Sequence, residues 1–162
     1  RDKAGIRPDR VTLEVTETML MVNDYETALQ VLSEISEAGV QIALDDFGTG
    51  YSSLTHLRDF PIDIVKIDQS FIKSLCSSQQ SRLIVQAMIA MARNLDIDVV
   101  AEGIEKQSQR DLLMQMGCRY GQGYLLGIPQ TSGSLKAAAL KNRPTLPAIE
   151  PDADSSRRYA AG

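Results

Sequence analysis

Charged or amide side chains lie at or near the C-terminal end of every strand-like segment in this sequence. They are Glu14, Asp45 with Asp46, Lys66, Glu102 and Gln122. The C-terminal ends of the parallel strands in a barrel converge on one rim, so residues far apart in sequence can share a site. Each interval is long enough for the crossover between two parallel strands, which takes about a dozen residues. The sequence therefore predicts one site where four carboxylates and a lysine meet.

Such a site needs positive charge, because clustered carboxylates repel one another and would otherwise take up protons. Two divalent cations would remove this repulsion, and ligands that are all oxygen suit Mg²⁺ or Mn²⁺. Two ions about 4 Å apart can clamp a phosphodiester and generate a hydroxide nucleophile. Lys66 could hold or deprotonate the attacking water, or neutralise charge that develops on the phosphate. The predicted chemistry is metal-assisted phosphodiester hydrolysis.

The strand-like segments that position these residues alternate with helical patterns. The segments are residues 11–15, 40–45, 64–67, 97–102 and 119–124. Alternation of this kind is typical of repeated βα units that form a parallel sheet. The predicted fold class is therefore α/β.

Apolar periodicity predicts four helices between and after these strands. Asn23 or Asp24 caps the first, and its apolar face is Ala28, Val31, Leu32 and Ile35, with Gly39 beyond its end. The second covers residues 78–95, with a core stripe of Leu83, Ile84, Ala87, Met88, Met91 and Ala92. The others cover residues 106–116 and 133–140. Residues 142–162 are rich in Pro, Asp, Ser and Ala without periodicity, which predicts a disordered tail.

Composition excludes several classes of protein. A net charge of −4 and a pI near 5.0 argue against binding of a nucleic acid polymer. The longest apolar runs fall short of the roughly 20 residues that cross a bilayer, so no membrane contact is expected. Cys76 and Cys118 have neither zinc-site spacing nor a disulfide framework, which fits the reducing cytoplasm.

Five motifs together resemble one family, that of bacterial EAL domains. They are Leu-Glu-Val-Thr-Glu at 13–17, Asp-Asp-Phe-Gly-Thr-Gly-Tyr-Ser-Ser at 45–53, Lys-Ile-Asp at 66–68, Ala-Glu-Gly-Ile-Glu at 101–105 and Gly-Gln-Gly-Tyr at 121–124. Their order and spacing match over residues 8–141. The resemblance implies a modified TIM barrel that hydrolyses cyclic di-GMP to linear pGpG with two Mg²⁺ or Mn²⁺ ions.

The resemblance also implies a role for each matching residue. The implied metal ligands are Glu14, Asp45, Asp46 and Glu102. Lys66 would position or activate the water, and Gln122 would support the metal-bound water and the substrate; with Glu102 these two form the implied catalytic set. Glu17 would anchor the loop 46–53, whose substrate-side residues are Asp46, Phe47, Gly48, Thr49 and Gly50. The loop's glycines permit the backbone turns that a mobile lid requires.

The sequence departs from the family at its beginning. The Glu-Ala-Leu motif and a strand Asn, which supply metal ligands in the family, have no counterpart, and the chain opens Arg-Asp-Lys rather than Met. A TIM barrel takes about 250 residues and eight strands. We therefore expect residues 1–141 to form the C-terminal part of an EAL domain, a partial TIM barrel of about five βα units with two exposed sheet edges. We expect this portion to be inactive alone.

Several alternatives stay open. The parent protein is either a cyclic-di-GMP-specific phosphodiesterase or a catalytically inactive module that binds cyclic di-GMP or a protein, and the chain itself could be a nonfunctional fragment. Locally, Asp45 and Asp46 could be a turn, Glu14 and Glu102 solvated strand ends, Lys66 a salt-bridge partner at the rim, and Gln122 part of a turn. Asp68 is expected to cap a short helix, and His56 to occupy a partly exposed helix position. For the parent, the family suggests a homodimer formed through this domain and an upstream sensor or diguanylate-cyclase domain.

Overall fold

The computed structural model describes residues 5–22, 25–50 and 54–131, with side chains at all of these except 21, 22 and 54–56. The chain divides into two compact units, Arg1–Ile128 and Pro129–Gly162. Every helix and strand given below belongs to the first unit. The predicted cap at Asn23 or Asp24, the side chain of His56, the helix 133–140 and the tail 142–162 lie outside the described residues.

Among the described residues, five parallel strands form a single sheet in the order of the sequence, β1-β2-β3-β4-β5. They are β1 Thr12–Thr16, β2 Gln41–Phe47, β3 Ile64–Ile67, β4 Asp98–Ala101 and β5 Tyr120–Gly121. The predicted α/β class with five parallel βα-type strands is confirmed. Within the described residues the sheet is open, with β1 and β5 at its edges.

In the part of the chain that the structure describes, six α-helices connect the strands. They are α1 Glu17–Val22, α2 Tyr25–Glu37, α3 Leu54–Asp59, α4 Gln69–Ser74, α5 Gln79–Asn94 and α6 Gln107–Gln115, and a 3-10 turn at Pro8–Arg10 precedes β1. Asp68 caps α4 as predicted, since its side chain accepts a hydrogen bond from the Ser70 amide. Ser78 caps α5 in the same way through the Ser81 amide. None of the helices in the described residues is long and apolar enough to cross a membrane.

The core lies between the helices and one face of the sheet. Alternate strand residues enter it, among them Ile42, Leu44, Val65, Ile67 and Val99. Since successive side chains on a strand point to opposite faces, the other face carries the intervening residues. Three exposed residues of that face are Gln41 and Asp98, each the first residue of its strand, and Tyr120 on the edge strand β5.

The predicted apolar stripes of two helices are partly wrong. On α2, Leu32 is buried but Val31 is 47% exposed. On α5, Leu83 is 59% exposed and Ala87 is exposed too, whereas Val85, Ile89 and Ala92 are buried. Residues 83–92 are apolar at every position except Gln86, so the pattern alone does not determine which side faces the sheet.

The last strand is shorter than predicted. Pairing with β4 covers only Tyr120 and Gly121, whereas residues 119–124 were expected to be extended. Beyond β5 the chain is hydrogen-bonded to the segment that follows β4. The Ile104 amide donates to the Gln122 carbonyl, and the Leu125 amide donates to the Ile104 carbonyl. Gly123, at φ +155°, allows this approach, because a Cβ there would meet the backbone of Ile104.

Candidate active site

Lys66 lies at the centre of the predicted cluster. Its ammonium nitrogen Nζ is 3.0 Å from Glu14 Oε1, 3.0 Å from Asp45 Oδ1 and 2.9 Å from Glu102 Oε1. The lysine side chain is only 8% exposed. An ammonium group has three donors, and all three have carboxylate partners here. The structure therefore brings Glu14, Asp45, Lys66 and Glu102 together at one end of the sheet.

Burial and neighbouring charges shift the pKa values of this cluster in opposite directions. Burial by itself would lower the pKa of Lys66, but hydrogen bonds to Glu102, Asp45 and Glu14 outweigh burial and raise the pKa above its usual range. Lys66 is therefore a cation at neutral pH. Burial raises the pKa of Glu102; Lys66 lowers it, and the nearby charges of Asp45 and Asp46 add to the rise. The carboxylates outnumber the single lysine, so the site remains acidic and suited to additional cations.

Asp45 and Asp46 both reach the site although neighbouring strand residues normally face opposite sides. The register between β2 and β3 shifts between Leu44 and Phe47, which is the irregularity expected of a β-bulge. Asp46 also has a φ of 55°, in the left-handed region that a residue other than glycine seldom adopts. The Asp46 amide donates to Asp45 Oδ1 at 3.0 Å. The bulge thus re-aims two successive carboxylates toward one place.

Asp45, Asp46 and Glu102 form a potential cation site. One carboxylate oxygen from each lies within 4.8 Å of those of the other two. Carboxylate oxygens are the ligands that Mg²⁺ and Mn²⁺ prefer, so the donor set fits a hard divalent cation. Glu14 joins this trio through Lys66, and with 54% of its side chain exposed it is the most accessible of the carboxylates that Lys66 contacts.

Gln122 directly follows β5 and lies beside Glu102, which directly follows the neighbouring strand β4. Its amide Nε2 donates to Glu102 Oε1 at 2.6 Å. The same oxygen accepts from Lys66, so two donors hold one carboxylate oxygen of Glu102. Gln122 therefore belongs to the cluster by contact, and its role in chemistry stays a prediction.

Glu17 lies at the start of α1 and is 3% exposed. Its Oε1 accepts from the Gly48 amide and its Oε2 from the Gly50 amide, both at 3.0 Å. A Cβ at Gly48 would meet the side chains of Phe71 and Met88, and Gly48 has a φ of +95°. The Thr49 hydroxyl donates to the Asp46 carbonyl at 2.9 Å. The first part of the predicted loop is thus fastened to α1, while residues 51–53 lie outside the described residues.

One buried polar residue near the site was missed by the sequence reasoning. Gln109, on α6, is 3% exposed and bonds to the segment that follows Glu102. The signal was present, because Gln is a typical residue at the third position of a helix, where it accepts from the backbone amide of the capping residue. Here that capping residue is Lys106.

Residues 1–129 match the EAL domain family. Cyclic di-GMP phosphodiesterase NbdA of Pseudomonas aeruginosa is 44% identical over 135 residues, which cover 83% of this chain and 17% of NbdA. The structure of MucR phosphodiesterase in complex with cyclic di-GMP superposes with a TM-score of 0.76 at 42% identity, covering 80% of this chain and 52% of that one. A manganese and cyclic di-GMP complex of Klebsiella pneumoniae BlrP1 superposes with a TM-score of 0.70 at 37% identity, covering 75% and 31%.

These similarities extend over most of this chain but over only about a sixth to a half of the related proteins. The chain spans less than a fifth of the length of NbdA and about half of the MucR phosphodiesterase structure. Identities well above 30%, together with the parallel strand order, indicate a common fold. The predicted resemblance is therefore confirmed, and the chain corresponds to a portion of the domain.

Proposed function

The chain belongs to the EAL domain family, and from this premise we propose that the protein to which it contributes hydrolyses cyclic di-GMP to linear pGpG. The observation that carries the proposal is the contact of Lys66 with Glu14, Asp45 and Glu102 at 2.9–3.0 Å. These are the residues whose strand-end positions predicted a metal-assisted phosphodiesterase. Relatives named as cyclic di-GMP phosphodiesterases support the same substrate.

Asp45, Asp46 and Glu102 would hold divalent cations, with Glu14 completing the set on the exposed side. Bound cations would supply Lewis-acid activation of the phosphodiester and of water. The oxygen ligands allow either Mg²⁺ or Mn²⁺. Complexes of BlrP1 with manganese and with calcium show that a structural relative accommodates divalent ions together with cyclic di-GMP.

Lys66 would act as a hydrogen-bond donor. Its ammonium group contacts Glu14, Asp45 and Glu102, the residues that would hold the cations. Bound cations would compete for these carboxylates and lower the pKa of Lys66, so its donors would become available to hold the water or to neutralise phosphate charge, and the third role, deprotonating the water, stays open. Gln122, which already donates to Glu102, would hold that carboxylate in place and present its amide to the substrate side.

Glu17 would hold the segment Phe47, Gly48, Thr49 and Gly50 over the site. Its two carboxylate oxygens satisfy two loop amides, which limits the conformations that the loop can adopt. Because Asp46 begins this loop, fastening it also fixes the position of one carboxylate of the cation site. Binding and chemistry would thus be linked through a single glutamate.

The wider context of the domain is also a proposal. A relative from Pseudomonas aeruginosa, MucR, is named as a bifunctional diguanylate cyclase and phosphodiesterase, so an attached cyclase or sensor domain is a reasonable expectation. We propose a homodimer formed through the EAL domain. A cytoplasmic location is supported by the free thiols of Cys76 and Cys118.

The test is hydrolysis of cyclic di-GMP by this chain and by the whole domain, with Mg²⁺ and then with Mn²⁺. We expect the whole domain to form pGpG, this chain to form none, and Glu102→Ala to abolish the activity of the whole domain. Glu105→Gln is the matched control, because Glu105 is an exposed carboxylate three residues further along the same segment. If the whole domain bound cyclic di-GMP without cleaving it, the catalytic roles would be refuted and the domain would be a receptor.

A further inference from the structure

Gln109 is one of three buried polar or charged side chains in the described residues; the other two are Lys66 and Glu17. Every polar atom of its amide has a partner. Oε1 accepts from the Glu105 amide at 2.9 Å and from the Lys106 amide at 2.8 Å, and Nε2 donates to the Ile72 carbonyl at 2.9 Å. A buried group satisfied in this way holds its partners in a fixed geometry. Gln109 therefore joins the segment after β4 to α4.

Both partners of Gln109 lead directly to the active-site cluster. Glu105 lies three residues after Glu102, on a segment that makes no regular strand or helix until α6. Ile72 lies in α4, which begins after the cap Asp68, two residues beyond Lys66. The amide of Gln109 thus bridges the chain that follows Lys66 and the chain that follows Glu102. The closest ion pair in the cluster, at 2.9 Å, is the one between these two residues.

Other contacts hold the first residues of the segment that follows Glu102. Ile104 is hydrogen-bonded through both its amide and its carbonyl to the chain that follows β5. Gly103 has a φ of +69°, and a Cβ on it would lie 2.6 Å from Cβ of Gln69. These contacts hold the middle of the segment, and Gln109 holds its end. The Glu102 amide itself donates to the Ile67 carbonyl at 3.1 Å. Loss of the Gln109 hydrogen bonds would free the end of the segment from α4, so the spacing between this segment and the chain that follows Lys66 would depend on the remaining contacts alone.

We propose that Gln109 is a positioning residue that fixes the distance between Glu102 and the other groups of the cation site. The inference rests on the proposed function only in assigning a cation to Asp45, Asp46 and Glu102. It assigns Gln109 no contact with substrate or cation. A purely structural capping residue would change stability, whereas a positioning residue changes cation affinity beyond what the loss of stability explains.

The experiment measures binding of Mn²⁺ alone to the whole domain, by the electron paramagnetic resonance signal of free Mn²⁺, together with urea unfolding. Gln109→Met keeps the length and burial of the side chain and removes its three hydrogen bonds. We expect it to raise the Kd for Mn²⁺ about tenfold, at the low end of the effect of removing groups that orient metal ligands. Gln109→Glu keeps an acceptor for both loop amides but places a carboxylate oxygen against the Ile72 carbonyl, so it breaks the link to α4 and should also raise the Kd about tenfold.

Leu113→Ala is the control. Leu113 is buried on the same helix, at 2% exposure, and contributes to the core without a polar contact to the segment. It should lower the unfolding midpoint and leave the Kd for Mn²⁺ within about twofold of the original. The proposal is overturned if Gln109→Met binds Mn²⁺ as the original domain does, or if Leu113→Ala weakens binding to the same degree.

If Gln109→Met does not fold, Gln109→Asn gives the comparison with Leu113→Ala. The Asn side chain is one methylene shorter and cannot reach both partners, so it should weaken Mn²⁺ binding more than Leu113→Ala does; equal binding by the two variants would overturn the proposal. Hydrolysis of cyclic di-GMP is measured separately. A domain whose affinity for Mn²⁺ depends on Gln109 but that does not cleave cyclic di-GMP would refute the proposed function and leave this inference standing.

Discussion

Substitution of Lys66 by Met tests whether the cluster depends on a buried positive charge. Met fills a similar volume but cannot donate to Glu102, Asp45 and Glu14, whose side chains are 14%, 23% and 54% exposed. Removing one partner of a buried ion pair costs about 3–5 kcal/mol, because the other charge is left unpaired. Glu14 is more than half exposed, so its share is about 1 kcal/mol or less. We expect the unfolding free energy of the whole domain to fall by about 3 kcal/mol at pH 7 without divalent cations.

The loss should depend on pH in a defined direction. The pKa of Lys66 is raised above its ordinary value of 10.5, so its contribution is fully present below pH 10.5 and disappears only as the pH rises through the folded-state value. Without Lys66, the pKa of Glu102, already raised from 4.5 by burial, rises further. Protonation of Glu102 then relieves the repulsion at low pH. The variant should therefore lose more stability at pH 7 than at pH 4.5.

Urea unfolding followed by circular dichroism, in EDTA at pH 7 and at pH 4.5, measures both quantities. Lys73→Met is the matched control, since Lys73 is an exposed lysine in the last turn of α4 and should change stability by less than about 0.5 kcal/mol. An equal loss at the two pH values would refute the electrostatic reasoning and indicate a packing effect. A loss as small as that of the control would mean that the three ion pairs do not stabilise the fold.

Two further predictions concern the backbone around the site. Gly123→Ala should lower the unfolding free energy of the domain by about 2 kcal/mol or more, because the φ of +155° and the nearby backbone leave no room for a Cβ. Gly127→Ala is the control: a Cβ there would meet nothing within 4 Å, so the unfolding free energy should change by less than about 0.5 kcal/mol. Similar unfolding midpoints for the two variants would contradict this. Glu17→Gln should lower kcat about tenfold while the domain stays folded, because the Gln side chain has one acceptor oxygen for the two backbone amides of Gly48 and Gly50. Steady-state kinetics showing an unchanged kcat would exclude Glu17 as the loop anchor.

The parallel sheet and the convergence of its strand ends were accessible from the sequence because two independent signals agreed. Alternation of β-rich and helical segments predicted parallel strands, and the polar residue near each strand end predicted which ends would converge. The third strand, residues 64–67, has its predicted bounds. Its core residues Val65 and Ile67 flank Lys66, so the alternation of apolar and charged side chains marks both the strand and the site.

Features that depend on tertiary contacts were not accessible. The buried side of α5 could not be chosen because nearly every residue from 83 to 92 is apolar. The bulge that brings Asp46 beside Asp45 is a relation between β2 and β3, and no local pattern reports it. The position of Gln109 in the first turn of its helix could have indicated the contacts of its amide oxygen with the backbone at Glu105 and Lys106, but only the position of Ile72, 37 residues earlier, shows that its amide nitrogen has a buried partner.

The cluster around Lys66 is built by neighbouring strands and does not depend on closure of a barrel. Asp45 comes from β2, beside β3, and Glu102 follows β4 on the other side of β3; the parallel registers of these pairs bring both carboxylates to Lys66. Glu14 reaches it from β1, paired with β2. A portion of the domain with these four strands therefore contains one wall of the site, already charged and positioned. Activity of the whole domain and inactivity of this chain would then measure what the rest of the domain adds to the Lys66 cluster.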